Sequence, residues 1–248
     1  MRRLLIDLWP AALLLLLWQV WVSAAGYNSI VLVSPGAVFS DLIHYPGAYL
    51  LPTLRTLAFA LGGLAIGMAA GLLLAMAAWF SELLAGITTP FALLLSSTPV
   101  VCLIPIIARL FGYEGRTELI AVAVMTFFPS FVYSATGLRE LPAMSRDVFL
   151  VLHASRWHNL RLLALPAALP SLATALRVGA TYSVLVALLA EYLMQTGGLG
   201  SLFAVTMQQF HLARALGARL LAMALSVSLY VLTTALEQRL TAYYKAGT

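Results

Sequence analysis

Residues 139–170 read RELPAMSRDVFLVLHASRWHNLRLLALPAALP, a polar stretch between two long apolar ones. It carries four arginines, two acidic residues and two histidines. Charged side chains at this density, with a backbone interrupted by prolines, cannot lie in the hydrocarbon of a bilayer. We therefore expect this stretch to lie at an aqueous surface, between two membrane-spanning helices.

Composition places the rest of the chain in the membrane. Of its 248 residues 62% are hydrophobic and 9% are charged, whereas soluble domains carry about 25% charged residues. A helix crosses a bilayer with about 20 apolar residues. We predict an all-α integral membrane protein with six transmembrane helices. The predicted helices are Leu8–Ala24, Pro52–Phe80, Pro90–Phe111, Leu119–Leu138, Ala173–Met194 and Ala218–Leu240.

The basic residues predict the orientation of these helices. With six spans and a cytoplasmic N-terminus, nine of the fourteen basic residues fall on the cytoplasmic side, as the positive-inside rule expects. Both termini and residues 139–170 are then cytoplasmic. The net charge of +5 is explained by this topology, and we predict no nucleic-acid partner.

Within residues 139–170 the pattern indicates two short helices with a joint between them. Ser155 is a residue that caps helix N-termini, and proline is favoured in the first turn of a helix. The predicted boundaries are Ala143–Leu152 and Arg156–Leu165 for the helices, His153–Ser155 for the joint, Pro166 for the stop and Pro170 for the start of the next span. Either the segment lies flat on the membrane surface, or it inserts as a lever into a cytoplasmic partner.

Glycines and prolines mark special places in the apolar helices. Gly63, Gly67 and Gly71 are spaced by four, which predicts close packing against another helix. Pro99 and Pro105 interrupt the hydrogen-bond ladder of the third span, which is tolerated where a helix faces protein or a water-filled cavity. The hydroxyl residues before this break either line a pathway or bond back to their own helix.

Several enzyme motifs are absent from the sequence. It has no GxxxxGK[ST] phosphate loop, no HExxH metal site and no GxSxG nucleophile, and Lys245 is its one lysine. These motifs supply phosphate cradling, metal binding and nucleophilic attack. We therefore predict no catalytic residue, no metal site and no cofactor in this chain.

The polar stretch resembles a loop of a known family. Permeases of bacterial ABC importers carry a cytoplasmic pattern of Glu-Ala-Ala, three residues, Gly, nine residues, Ile, one residue and Leu-Pro. This chain keeps the spacing at Asp147-Val148-Phe149, His153, Leu163 and Leu165-Pro166, with Asp for Glu and His for Gly. Because His is among the non-glycine residues enriched at positive φ, the turn at His153 can still form.

Other short motifs resemble the nitrate/sulfonate/taurine branch of these permeases, over about Pro52–Leu240. They are Ala154-Ser155-Arg156-Trp157, Leu165 to Pro170, Phe128-Pro129, Gly137-Leu138-Arg139, and Glu191 followed by Gly198-Leu199-Gly200. The resemblance implies a multi-pass protein of the bacterial inner membrane with the fold of type I ABC importer permeases. Residues 1–248 would form one domain. It would comprise an extra N-terminal helix and outer loop (1–50), a five-helix core (51–240) and, within it, the cytoplasmic coupling loop (139–170).

The resemblance also implies partners. A second copy would complete a homodimer, and two cytoplasmic ABC ATPase subunits would bind ATP and Mg and hydrolyse the ATP. A periplasmic or lipid-anchored binding protein would deliver a small solute, such as a sulfonate, nitrate or a heterocyclic vitamin precursor. The coupling helix Ala143–Leu152 would dock into the ATPase. The implied coupling residues are Arg146, Asp147, Val148, Phe149, Leu152, His153, Ser155 and Arg156.

The family lines its translocation pathway with polar side chains of the third to fifth spans. The residues implied here are Ser96, Ser97, Thr98, Thr126, Tyr133, Tyr182, Ser183 and Glu191. Glu191 is an acidic residue predicted inside a span, which makes it a functional candidate. Alternatively, it is an interfacial carboxylate paired with Arg214.

Two functions from different classes fit these features. The first is the permease subunit of an ABC importer, which requires a separate ATPase. The second is a self-contained channel or secondary transporter with a surface amphipathic loop, which requires charged coupling residues at mid-membrane.

Overall fold

The protein is all helical throughout the part that its structure, a computed structural model, describes: residues 2–26, 32–96, 98–141 and 153–246. This confirms that the fold is all-α. The helices are α1 (Arg2–Ala25), α2 (Pro35–His44), α3 (Pro46–Phe80), α4 (Glu82–Ser96), α5 (Val100–Phe111), α6 (Gly115–Arg139), α7 (Arg156–His158), a π-helix (Asn159–Ala164), α8 (Leu165–Ala167), α9 (Leu169–Met194), α10 (Gly198–Gln208) and α11 (Leu212–Ala246).

Four of the described helices are long and apolar enough to cross a membrane: α3, α6, α9 and the Leu212–Ala242 part of α11. Two shorter apolar helical stretches, Leu13–Ala25 and α5, accompany them. The 35 residues of α3 extend about 52 Å at 1.5 Å per residue. A bilayer core is about 30 Å thick, so α3 continues beyond it.

The long helices pack side by side: α6 contacts α3 and α9, and α9 also contacts α3 and α11. The closest approach is between α3 and α6. A Cβ added at Gly67 would lie 2.5 Å from the carbonyl oxygen of Ala123, and one at Gly71 would lie 2.7 Å from the amide of Phe131. The predicted role of the glycine stripe in close packing is therefore confirmed.

The predicted third span is in fact two helices, α4 and α5. Pro99 has an extended ψ of 124° and precedes the first residue of α5. Proline lacks the N–H that would continue the ladder, and its ring disfavours a helical conformation at the residue before it. Pro52, Pro105 and Pro129, by contrast, lie inside continuous helices.

Two segments contain helices although their glycine and proline content predicts outer loops. They are residues 27–49, before the second predicted span, and residues 195–217, after the fifth. Ser34 caps α2 by accepting a hydrogen bond from the Ala37 amide at 3.3 Å, and Pro35 occupies the first turn. Gly197, at φ +104°, leads into α10. These residues are start signals for short helices, so the loop assignment of both whole segments was wrong.

From Arg156, inside the polar stretch, the chain forms a nearly continuous helix that leads into α9. The predicted stop at Pro166 was wrong, since that proline lies within α8, directly after the π-helix. A π turn widens the helix by one residue, which provides room before a proline that cannot bond to the preceding turn. Pro170 lies in the first turn of α9, as predicted.

Candidate translocation and coupling sites

The structure describes three of the eight predicted coupling residues. Arg146, Asp147, Val148, Phe149 and Leu152 lie outside the described ranges. His153 has a φ of +47°, which is the left-handed conformation expected at the glycine position of the family loop. Ser155 accepts a hydrogen bond from the His158 amide at 3.3 Å and caps α7, in agreement with the sequence prediction.

Arg156 and Trp157 connect the segment after the loop to the C-terminal end of α3. Arg156 Nη1 donates to the carbonyl oxygen of Phe80 at 3.2 Å. The rings of Trp157 and Phe80 stack with their centroids 6.2 Å apart and their planes 18° apart. The carbonyls of a last helical turn lack intrahelical donors and carry partial negative charge, so an arginine is a favourable partner there. We call this region the loop end of the bundle.

A charged pair lies part of the way along α9. Arg177 Nε is 2.8 Å from Glu237 Oε2 of α11, and Thr174 donates to the other carboxylate oxygen of Glu237 at 2.6 Å. The Arg177 and Glu237 side chains are both partly buried. The positive charge of Arg177 is therefore neutralised by a neighbouring helix.

The opposite end of the bundle is built around Glu191, which is fully buried. Its carboxylate accepts hydrogen bonds from the Thr56 hydroxyl at 2.7 Å and from the Gly200 amide at 2.8 Å. The Leu199 amide donates to the same hydroxyl at 2.9 Å. Gly198 has a φ of +85°, and a Cβ there would collide with the Glu191 carboxylate. These contacts fix the start of α10 against α3 and α9.

A second buried carboxylate, Glu118 of α6, lies beside this network. Its Oε2 accepts from the Thr196 hydroxyl at 3.2 Å, and the charges of Arg55 and Glu191 act on it. Arg55 also lies over the Phe59 ring, 5.1 Å from its centroid. We call this cluster, with Thr56 and residues 198–200, the glutamate end. Sequence reasoning missed Glu118 because it placed that residue in an exposed turn.

The alternative pairing of Glu191 with Arg214 was wrong. Arg214 lies at the start of α11 and pairs with Asp41 of α2, with 3.2 Å between Arg214 Nη2 and Asp41 Oδ1. Tyr49 also donates to Asp41, and the Arg214 guanidinium lies 4.9 Å from the centroid of the Tyr45 ring. These contacts join α2, α3 and α11 instead.

Of the six predicted pathway residues whose side chains the structure describes, four form hydrogen bonds within the chain: Thr98, Thr126, Ser183 and Glu191. Thr126 and Ser183 are fully buried. Thr126 donates to Val122 O at 2.9 Å, and Ser183 donates to Ala180 O at 2.8 Å. Thr98 bonds back to Leu94 O at 3.4 Å. Ser97 and the side chain of Ser96 lie outside the described part of the chain.

Tyr133 and Tyr182 are brought together by α6 and α9. They share a cavity of about 250 Å³ that opens at the bundle surface. Its lining consists of Met125, Phe128, Pro129, Val132, Tyr133, Val178 and Tyr182. No three potential metal ligands among His, Cys, Asp and Glu come together within residues 2–26, 32–96, 98–141 and 153–246.

The described helices include four that are long and apolar enough to cross a membrane, and the polar stretch 139–170 separates two of them, α6 and α9. Residues 63–242 match the family of binding-protein-dependent transport system inner membrane components, and the chain belongs to that family. It is a permease subunit of an ABC transporter and not a member of an enzyme family. Family membership decides against the self-contained channel or secondary transporter.

Known relatives confirm the resemblance to the nitrate/sulfonate/taurine branch of ABC importer permeases. The chain is 30% identical over 245 residues to the riboflavin transport system permease protein RibX of Chloroflexus aurantiacus, covering 94% of this chain and 90% of the relative. It is 25% identical over 216 residues to the taurine transport system permease protein TauC of Escherichia coli, covering 80% and 75%. A chain of the MetNI methionine ABC transporter in an inward-facing conformation has the same fold, with a TM-score of 0.60, 17% identity and coverage of 81% and 98%.

Proposed function

We propose that this chain and a second copy of itself form the membrane pathway of an ATP-driven importer. Six units cross the inner membrane in this proposal: α1, α3, the α4–α5 pair, α6, α9 and α11. Both termini and the loop end are then cytoplasmic, and the glutamate end faces outward. The distribution of the basic residues supports this orientation.

Energy coupling is assigned to the loop that contains Arg146, Asp147, Val148, Phe149 and Leu152. The observation that carries this assignment is the contact of Arg156 and Trp157 with Phe80. Closing ATPase subunits would displace the loop, and these contacts would pass the displacement to α3 as a rigid-body motion. The continuous helical segment from Arg156 would pass it to α9.

The partners follow from the family. Two cytoplasmic ABC ATPase subunits bind ATP and Mg and hydrolyse the ATP, because this sequence has no phosphate loop. A periplasmic or lipid-anchored binding protein delivers the solute. By their names, relatives transport riboflavin and taurine. The solute here is therefore a small aromatic heterocycle, as riboflavin is, or a small sulfonate, as taurine is.

Co-purification with the ATPase subunits tests the coupling assignment. Phe149→Asp would place a charge on the apolar face shared with Val148 and Leu152, and we expect it to abolish association. Leu150→Asp is the matched control, since Leu150 lies on the opposite face of the predicted helix and its substitution should leave association intact. Equal association of the two variants, or equal loss, would contradict docking through that face.

A further inference from the structure

Two tyrosines meet at the cavity between α6 and α9, and one of them, Tyr182, lies far from the ends of its helix, where tyrosine usually anchors a span. Tyr182 lies thirteen residues after the start of α9 and twelve before its end, about 18–20 Å from either end. Its side chain is 44% exposed. Among the described residues, neither its hydroxyl nor that of Tyr133 forms a hydrogen bond. An unpaired hydroxyl at the depth of Tyr182 is unfavourable against lipid.

The backbone provides a third polar group at the same cavity. Pro129 lies inside α6 and has no N–H to donate to the carbonyl of Met125, four residues earlier. Met125 and Pro129 both line the cavity. Met125 therefore lines the cavity and has a carbonyl that lacks this helical donor.

The remaining lining is apolar and partly aromatic. None of the seven described lining residues is charged, and Arg177, one turn before Tyr182, is paired with Glu237. An anion entering this cavity would lose its hydration without gaining a cation. A flat ring would stack on the phenol rings and on Phe128, and its N–H groups would meet the carbonyl and hydroxyl acceptors.

We propose that the cavity containing Tyr133 and Tyr182 is a substrate station that holds a planar, uncharged aromatic heterocycle of one or two rings during passage. This proposal rests on the proposed function and selects an aromatic heterocycle over a sulfonate as the solute. The volume of about 250 Å³ is slightly below the range of about 300–1,000 Å³ common for small-molecule sites, which limits the number of rings.

Equilibrium dialysis of the full-length permease in lipid nanodiscs tests this station directly. The probes are 4-aminopyrimidine and adenine, with taurine, which carries an anionic sulfonate group, as the competitor. We expect both ring compounds to bind saturably and taurine in large excess not to displace them. Tyr182→Ala and Tyr133→Ala should each weaken binding about tenfold, the effect of losing one ring stack. Tyr182→Phe should retain most of the affinity.

Tyr230→Ala is the matched control, because Tyr230 of α11 is 45% exposed and does not line this cavity; its binding should be unchanged. Three results would overturn the station: displacement of the rings by taurine, binding that is unaffected by both alanine variants, or no ring binding at all. Native mass spectrometry on Tyr182→Ala adds a fourth, since loss of the dimer would make this face a subunit interface. Normal ATPase association with failed ring binding would leave the proposed function standing.

Discussion

The two ends of the helix bundle are held together in different ways. At the glutamate end, a fully buried carboxylate, a threonine hydroxyl and two backbone amides join three helices with hydrogen bonds of 2.7–2.9 Å. At the loop end, one exposed hydrogen bond of 3.2 Å and one ring stack join Arg156 and Trp157 to α3. Buried polar networks are costly to disrupt, whereas exposed contacts contribute little.

This difference indicates which end is suited to move. An alternating-access transporter needs a part that stays packed and a part that changes its contacts. The many buried bonds of the glutamate end oppose rearrangement. The loop end, where the ATPase is proposed to act, has contacts that exchange readily with water.

The largest expected effect is at the glutamate end. Glu191→Ala leaves the buried Gly200 amide without its acceptor and the Thr56 hydroxyl with only the Pro52 carbonyl, so we expect the free energy of unfolding to fall by about 3 kcal/mol. Unfolding of the purified protein with increasing denaturant measures this loss. Glu114→Ala serves as the control, because the Glu114 side chain is 66% exposed. A loss no greater than that of the control would mean that this end is not the stable one.

The packing of α3 against α6, between the two ends of the bundle, is tested at the glycine stripe. Gly67→Ala forces α3 away from the backbone of α6, and overpacking of this kind costs about 1–3 kcal/mol. Gly86→Ala is the control, since an added Cβ there meets nothing within 4 Å. Melting temperatures of the two variants give the comparison. Equal melting temperatures would contradict the close approach of these helices.

A smaller effect is expected at the charged pair on α9. Glu237→Ala leaves Arg177 without its partner and removes the acceptor for Thr174. We expect a loss of about 1.5 kcal/mol, since both groups are only partly buried. Glu237→Gln should lose less, because its amide oxygen still accepts from Thr174. The ranking of these two variants in thermal unfolding checks the assignment.

The smallest effect on stability is expected at the loop end, with the largest effect on function. Trp157→Ala should change the free energy of unfolding by less than about 1 kcal/mol. In proteoliposomes with the ATPase and binding protein, it should lower the solute transported per ATP hydrolysed, because the contact with Phe80 is lost. Trp9→Ala is a matched control, with Trp9 59% exposed and Trp157 60% exposed. Unchanged coupling in Trp157→Ala would remove this contact from the proposed route.

Sequence reasoning predicted the helical class, the close-packing glycines and the cap at Ser155, and it allowed the positive φ at His153. These depend on local physics: hydropathy, side-chain size, capping chemistry and backbone preference. It failed at the break of the third span and at the helices α2 and α10, where proline and glycine start a helix as often as they end one. The same ambiguity affected Pro166, whose place was decided by the preceding π turn.

The functional residues divide in the same way. The sequence by itself determined that the chain is a membrane protein, that residues 139–170 are polar, and that no phosphate loop is present. Three contacts are visible only in the folded chain. Glu118 lies beside Glu191 in the cluster with Thr56, Arg214 forms an ion pair with Asp41, and Tyr133 and Tyr182 line the same cavity. The physical reason is range. Hydropathy and capping act within a few residues, whereas a pair such as Thr56 and Glu191, 135 residues apart, forms only after the helices have packed.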